Sequence, residues 1–490
     1  MTPTKYVPLA NALLVTVSTL VMASCKHANG DPAANASASG GAPVSTSAVA
    51  SASTNDGRTS HAPMLPARSD TVVGATVHVT YTPATVIVDR TTLENTLRDV
   101  TDDGVTYTFD GSAASLDALH EGSVMLLQTY ALRKVTAVHR DGSHLRVDTK
   151  PAALTDAISD GSIKWEHQVT FSRGALSTRG ETAVSSSPAV SLAPAHNRSA
   201  WLDNIGDFLV PSLNAATPEA MATTGKIADY GYSLAYTPSD DRINVVVEVT
   251  KDVPSLELKL TGTGYLQNFA NGGDIEISGG SLTMADFSNK QLNGEMNFAW
   301  EARTALGTGV ADAFILRIPA AFRVPLIIGG IPFSIGIKTA FQIAPAFTTK
   351  QATAEGSFKV TFNGSEGFAM TTGNVTATGT VNTDPKVNDA SSIFGAGVQG
   401  FTAAIQFPKI ELGIGAIGTE AVGYVDIVTS AASITPGELG TRHCNKHTLI
   451  VSGKAGAVFS AFGLSLGEVK APLFDKTVDR SVPEGANCEP

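Results

Sequence analysis

The sequence predicts an all-β protein made of two antiparallel β domains, each a sandwich or a partly closed barrel, with a few short helices. Apolar and polar residues alternate with a period of two in many segments, and Asp-Gly dipeptides separate several of them. Alternation is typical of half-buried strands, and Asp-Gly of tight turns. The 46 glycines and 24 prolines also interrupt helical patterns throughout the chain, which favours strands.

The first predicted domain covers residues 69–171. Val77 and Val79 alternate with His78 and Thr80, as expected of a strand with one buried face. The segment Thr91-Thr92-Leu93-Glu94 fits a capping box, which predicts a short helix capped by Thr91.

The second predicted domain covers residues 201–490, after a Ser/Pro/Ala-rich linker at 172–200. Apolar residues alternate from Ile243 to Val249 and again from Leu256 to Leu260, which predicts an antiparallel hairpin. Further on, the alternation in 401–416 changes parity at Pro408-Lys409, which predicts a β-bulge. The segment Asn271-Gly272-Gly273-Asp274 is interpreted as a solvated turn, because it lacks the spacing of calcium ligands.

The segment 314–347 is the most apolar after the N-terminus, but its prolines, glycines and arginines oppose a transmembrane helix. We expect a buried hairpin that turns at Gly329-Gly330. The alternative is an apolar face that lines a lipid-sized cavity or touches the membrane. The six residues of this possible ligand face share one parity: Ile331, Phe333, Ile335, Ile337, Phe341 and Ile343.

The N-terminus has the layout of a secretory signal, with Lys5 ahead of a short apolar run. The run ends in Met22-Ala23-Ser24-Cys25, which resembles the lipobox of bacterial lipoproteins. The resemblance implies a signal peptide at 1–24 and a lipid on Cys25. In this family an Asp directly after the cysteine often signals retention in the inner membrane. Here Lys26 occupies that position, so the resemblance implies an outer-membrane lipoprotein, periplasmic or surface-facing. Residues 25–68 are rich in Ala, Ser, Gly and Pro and predict a disordered tether.

The other two cysteines, Cys444 and Cys488, are expected to form a disulfide in an exported chain. The alternative is a metal site built from His443, Cys444 and His447. Adjacent residues of a strand point to opposite faces, and the sequence has no second group of ligands. We therefore expect no metal.

No catalytic residue is assigned from the sequence. Gly463-Leu464-Ser465-Leu466-Gly467 matches the nucleophile elbow, but that motif needs a His later in the chain, and none follows. The sequence does not decide whether two carboxylates form a hidden catalytic pair, because their separation depends on the fold. No cofactor is expected. The net charge of −11 without a basic run excludes a nucleic-acid footprint.

Residues 69–171 also resemble an uncharacterised module of secreted bacterial proteins, through Leu132-Arg133-Lys134-Val135-Thr136 and Leu154-Thr155-Asp156-Ala157-Ile158. The resemblance implies no activity. The sequence as a whole predicts a lipid-anchored cell-envelope protein that acts by binding or structural presentation, with the membrane and an envelope lipid, glycan or protein as partners. The alternatives are a carrier of a hydrophobic ligand in the second domain, and a secreted hydrolase.

Overall fold

The computed structural model describes the residues that form the β-rich body of the chain. The signal peptide, the linker, all three cysteines and the predicted tether apart from Ser60–His61 lie outside the described residues. The described ranges are 60–61, 71–101, 104–111, 113–171, 221–227, 229–253, 256–303, 310–311, 314–316, 321–347, 353–371, 374–393, 399–415, 420–435, 445–458 and 468–482.

The first part of the chain forms nine strands and three short helices within the described residues. In chain order they are β1 Ser60–His61, β2 Thr76–Tyr81, β3 Thr85–Val88, α1 Arg90–Thr96, β4 Leu97–Thr101, β5 Thr106–Asp110, α2 Ala114–Asp117, β6 Val124–Leu127, β7 Ala131–Asp141, β8 His144–Pro151, α3 Leu154–Ala157 and β9 Ile158–Val169.

The strands that follow are longer. They are β10 Met221–Ile227, β11 Tyr230–Pro238, β12 Arg242–Val253, β13 Leu256–Gln267, β14 Phe269–Ser278, β15 Ser281–Arg303, β16 Val310–Ala311, β17 Phe314–Leu316, β18 Ala321–Ile328, β19 Ile331–Phe347, β20 Thr353–Thr371, β21 Asn374–Ile393, β22 Gln399–Ile414, β23 Glu420–Thr435, β24 Asn445–Val458 and β25 Glu468–Val482. The predicted all-β class is confirmed, and β12 and β13 form the predicted antiparallel hairpin.

Sheet one belongs to the N-terminal part, with strand order β1-β4-β5-β8-β7-β6-β3. It has a core of its own, which includes the fully buried Tyr107, Phe109 and Tyr130. The predicted helix is present as α1, but the predicted cap is wrong. Asp89 is the N-cap and accepts from the Thr92 amide at 3.0 Å. A carboxylate is a strong acceptor at this position, so the helix begins one residue before Thr91.

Sheet two follows the order β10-β11-β12-β13-β15-β14-β9-β2, and β20 and β21 continue it from the other edge of β15. It joins strands from both predicted domains, because β14 pairs with β9. The domain ranges 69–171 and 201–490 themselves stay a prediction. The segment Asn271–Asp274 lies inside β14, so its interpretation as a turn is wrong. The Asn271 amide donates to Asn289 on β15, and the Asp274 carboxylate pairs with Lys164 on β9.

Sheet two curves into a half-barrel. The ring of Phe322 in β18 lies 5.8 Å from Phe171, which follows β9, and 6.3 Å from Tyr236 in β11. Strands β13 and β14 pair with the same edge of β15. Strand β12 pairs with β13 and strand β9 pairs with β14, so β9 and β11 lie on the same side of β15. The Phe322 ring therefore packs where the end of β9 comes close to β11.

Sheet three has β19-β22-β23-β24-β25 as its main path, and β16, β17 and β18 pair with β19. The predicted hairpin turn is confirmed: β18 and β19 pair across Gly329 and Gly330, which have φ of +60° and +85°. Two positive φ angles match a tight hairpin turn, for which glycine carries no steric cost. The predicted bulge is also confirmed, because the β19–β22 register shifts where β22 passes Pro408.

Sheets two and three share one apolar core. Close contact between them depends on Gly423 in β23, where an added Cβ would lie 2.2 Å from Cε1 of Phe368 in β20. At the far edge, Lys476 and Arg480 of β25 donate to backbone carbonyls of β21. The two sheets are therefore joined both through the core and along an edge.

Gly423→Ala is expected to destabilise the protein by about 1 to 3 kcal/mol, because the new methyl must push Phe368 out of the shared core. Urea unfolding would measure the loss. Gly272→Ala is the matched control, since its added Cβ would meet atoms at an ordinary 3.4 Å. Equal stability of the two variants would contradict the proposed inter-sheet contact.

Candidate functional site

The apolar face proposed from the sequence lies on β19 and is turned toward the half-barrel. Ile331, Phe333, Ile335 and Ile337 are each at most 1% exposed. Phe341 and Ile343 follow with the same parity and pair with Ile405 and Ala403 of β22; their side chains lie outside the described residues. The structure thus places the first four of the six residues on one buried face of β19.

This face is packed against protein side chains. The Phe333 ring stacks on Trp165 of β9, with centroids 5.6 Å apart and planes at 29°. Thr339, two positions beyond Ile337, forms a 2.7 Å hydrogen bond with the hydroxyl of Tyr236. Contacts of this kind are those of a filled core, in which apolar side chains touch one another at van der Waals distance.

A row of buried polar side chains crosses the concave surface of the half-barrel beside Trp165. Asn271, Asn289 and Glu366 stand directly opposite one another on β14, β15 and β20, and each is at most 1% exposed. The Trp165 Nε1 donates to Asn271 Oδ1 at 2.9 Å, and Asn271 Nδ2 donates to Asn289 Oδ1 at 3.0 Å. Polar groups in an apolar surface fix register, because any slip leaves them without partners.

Sequence reasoning missed this row. Its members lie in three separate strands, and each on its own is an unremarkable polar residue in an alternating pattern. The Trp165 ring also lies over Gly273, where an added Cβ would be 2.1 Å from the indole. That glycine was the available signal, because glycine inside a strand often marks the close approach of another group.

The tip of the β18–β19 hairpin is held by the N-terminal part of the chain. The Thr129 amide donates to the Gly330 carbonyl at 3.1 Å, and the Val72 amide donates to the Ile327 carbonyl at 2.9 Å. Thr129 has a φ of +73°, which is strained for a β-branched residue. The backbone thus adopts a costly conformation at the residue that binds the hairpin tip.

His447 is a buried histidine on the core face of β24, in line with Leu449 and Val451. Neither ring nitrogen forms a hydrogen bond with the described residues. Burial lowers the pKa of His447 to about 4, and the positive charge of Arg480 on β25 acts in the same direction. The imidazole is therefore neutral at pH 7. His443 and Cys444, its partners in the alternative metal site, lie outside the described residues.

The other sequence-derived sites are only partly covered. Cys25, the Cys444–Cys488 disulfide and the elbow residue Ser465 lie outside the described residues and stay predictions. Within the described residues there is no group of three or more potential metal ligands. The described part of the chain also contains no helix that is both long and apolar enough to cross a membrane.

Two known family models match most of the chain. Residues 214–471 match a family model described as a domain of unknown function, DUF8402. The chain belongs to this DUF8402 family. Residues 72–160 match a second domain of unknown function, DUF8403, so the expected resemblance of 69–171 to an uncharacterised module is confirmed at that level. The comparisons with curated proteins and with solved structures found no match.

Phe333→Ala is expected to cost about 3 to 5 kcal/mol of stability in this DUF8402 protein, through the cavity left beneath Trp165. Denaturant unfolding would measure this loss of unfolding free energy. Val246→Ala is the control, because Val246 is 45% exposed and should change stability by less than about 0.5 kcal/mol. Near-native stability of Phe333→Ala would mean that the face is not part of a filled core.

Stability is expected to fall by about 2 kcal/mol as pH drops from 7 to 5, on account of His447. Its unfolded pKa is near 6.5 and its folded pKa is lower, so the unfolded state takes up the proton first and gains stability. Burial also lowers the pKa of His167, which adds a loss in the same direction. His447→Gln should therefore flatten the pH dependence only in part.

Urea unfolding at several pH values from 7 to 5 measures this slope. His78→Gln, at an exposed position of β2, is the control and should keep the wild-type slope. An unchanged slope in His447→Gln would show that this imidazole does not supply the pH dependence.

Proposed function

We propose that the chain is a lipid-anchored protein of the cell envelope that acts by binding or structural presentation, without catalysis. The attachment rests on Cys25, which ends the lipobox, and on Lys26, which favours the outer membrane over the inner one. Several acyl chains on one terminus hold a protein far better than a single chain. The tether that follows would give the β body reach from the membrane surface.

The packing of β19 is the observation that supports a role in binding or presentation without catalysis. The apolar side chains that the sequence offers as a ligand face, such as Phe333, contact Trp165 and the concave surface of the half-barrel. Long paired strands with a filled core form a stiff body. Such a body suits the display of an outer surface to an envelope lipid, glycan or protein.

A carrier of a hydrophobic ligand is the second candidate. It is favoured by the row of Asn271, Asn289 and Glu366 within an apolar concave surface, since ligand sites combine apolar walls with a few placed polar groups. Mass spectrometry of an organic extract of the purified protein distinguishes the two. The presentation role expects no stoichiometric lipid beyond the anchor, whereas bound lipid that is lost in Asn289→Leu would support the carrier.

Cys25→Ala is expected to release the protein from membranes, because it removes the thiol to which the lipid is attached. Cell fractionation and labelling with radioactive palmitate measure the two consequences. Cys444→Ala removes a different thiol and should stay labelled and membrane-bound. Membrane recovery of Cys25→Ala at the wild-type level would contradict lipid anchoring.

A further inference from the structure

The face of β19 that points away from the apolar core carries a buried ionic cluster. Lys338 of β19 and Lys409 and Glu411 of β22 meet there, each less than 10% exposed. The Lys338 Nζ lies 2.7 Å from one Glu411 carboxylate oxygen, and the Lys409 Nζ lies 3.1 Å from the other. The Lys409 ammonium also sits 4.4 Å from the ring centroid of Tyr424. One buried carboxylate therefore serves two buried ammonium groups.

The positive charge is concentrated on the β18–β19 side of this cluster. Arg323 of β18 pairs with Gly336, and Glu411 pairs with the same glycine from β22. Asp426 pairs with Lys409 from β23, a strand that lies on the far side of β22 from Arg323. Arg323 and Lys338 thus lie on the side of the cluster nearest Gly336, and Lys338 shares Glu411 with Lys409.

The pKa values of Lys338 and Glu411 are both lowered in this cluster, which disfavours the charged form of Lys338 and favours the charged form of Glu411. Burial lowers the pKa of Lys338, and the neighbouring charges of Lys409 and Arg323 add to the effect despite the contact with Glu411. Burial opposes the ionisation of Glu411, yet Lys409 and Lys338 hold its pKa at about 2. An additional anion would therefore stabilise the charged form of Lys338.

The surface above Gly336 has room and a hydrogen-bond donor. A Cβ built on Gly336 would meet nothing closer than 3.9 Å, and its nearest neighbours there are the Cβ and one oxygen of Glu411. Ser334 precedes it on the same face, is 1% exposed, and its hydroxyl has no hydrogen-bond partner among the described residues. Arg323, which pairs with Gly336 from β18, is partly exposed, whereas Gly336 itself is buried.

We propose that Ser334, Lys338 and Arg323 bind a phosphate-like oxyanion above Gly336. The hydroxyl, ammonium and guanidinium groups are donors that recognise phosphate oxygens, and hydrogen bonds to ionised groups are about twice as strong as neutral ones. The Glu411 carboxylate repels the anion, but two lysines already neutralise it. The phosphate group belongs to free phosphate or to a phospholipid headgroup, which share this chemistry.

Titration calorimetry on the detergent-solubilised full chain tests the site, with inorganic phosphate as the first ligand and dioctanoyl phosphatidic acid as the second. Both are added at constant ionic strength against chloride. Equal affinities for the two would assign the site to free phosphate. Markedly tighter binding of the phosphatidic acid would assign it to a lipid headgroup. Absence of binding by both ligands would overturn the proposal.

Three variants separate an anion site from a structural ion cluster. Lys338→Gln should weaken binding tenfold or more, and Ser334→Ala by about three- to tenfold. Glu411→Gln removes the repelling carboxylate and should strengthen binding. Ser334→Ala keeps all the charges, so it remains informative if Lys338→Gln fails to fold.

Glu295→Gln is the matched control, because Glu295 pairs with Lys359 at 2.8 Å on sheet two. It should leave phosphate affinity unchanged. Wild-type affinity in Ser334→Ala together with weaker binding in Glu411→Gln would overturn the proposal, because the anion would then not occupy the surface above Gly336.

Discussion

The burial of the β18–β19 hairpin in the concave surface of sheet two is the contact on which the rest of the structure depends. Phe322 and Phe333 fill the space that the curved sheet encloses, against Tyr236 and Trp165. Burying such large side chains contributes about 1.5 to 3 kcal/mol each. Without this hairpin, sheet two would expose the apolar surface that it now buries in the shared core.

Polar contacts then determine how the hairpin sits. The Trp165 ring that stacks on Phe333 is itself held by Asn271, so the orientation of the aromatic pair and the register of β14 and β15 are set together. At the other end, the Gly330 carbonyl accepts from Thr129. The hydrophobic contacts supply most of the free energy, and these few hydrogen bonds select one arrangement among many apolar packings.

Strand β19 has different chemistry on its two faces. Phe333 and its neighbours pack toward the half-barrel, while Ser334 and Lys338 point the other way, into a buried polar environment. Removing one member of a buried ion pair leaves an uncompensated charge and is strongly destabilising. The same strand is therefore the centre of the fold and the support of the proposed oxyanion site.

The sequence by itself determined the strands, the Gly329-Gly330 turn and the bulge near Pro408, because alternation, paired glycines and a parity change are local patterns. It did not determine that Asp89 caps the first helix in place of Thr91, since several nearby residues compete for one amide. Only the tertiary structure decided that Phe333 meets Trp165, and that polar residues such as Asn289 line up across strands. Those contacts join segments far apart in the chain, and strand pairing and the packing of sheet two on sheet three, which no single segment encodes, bring them together.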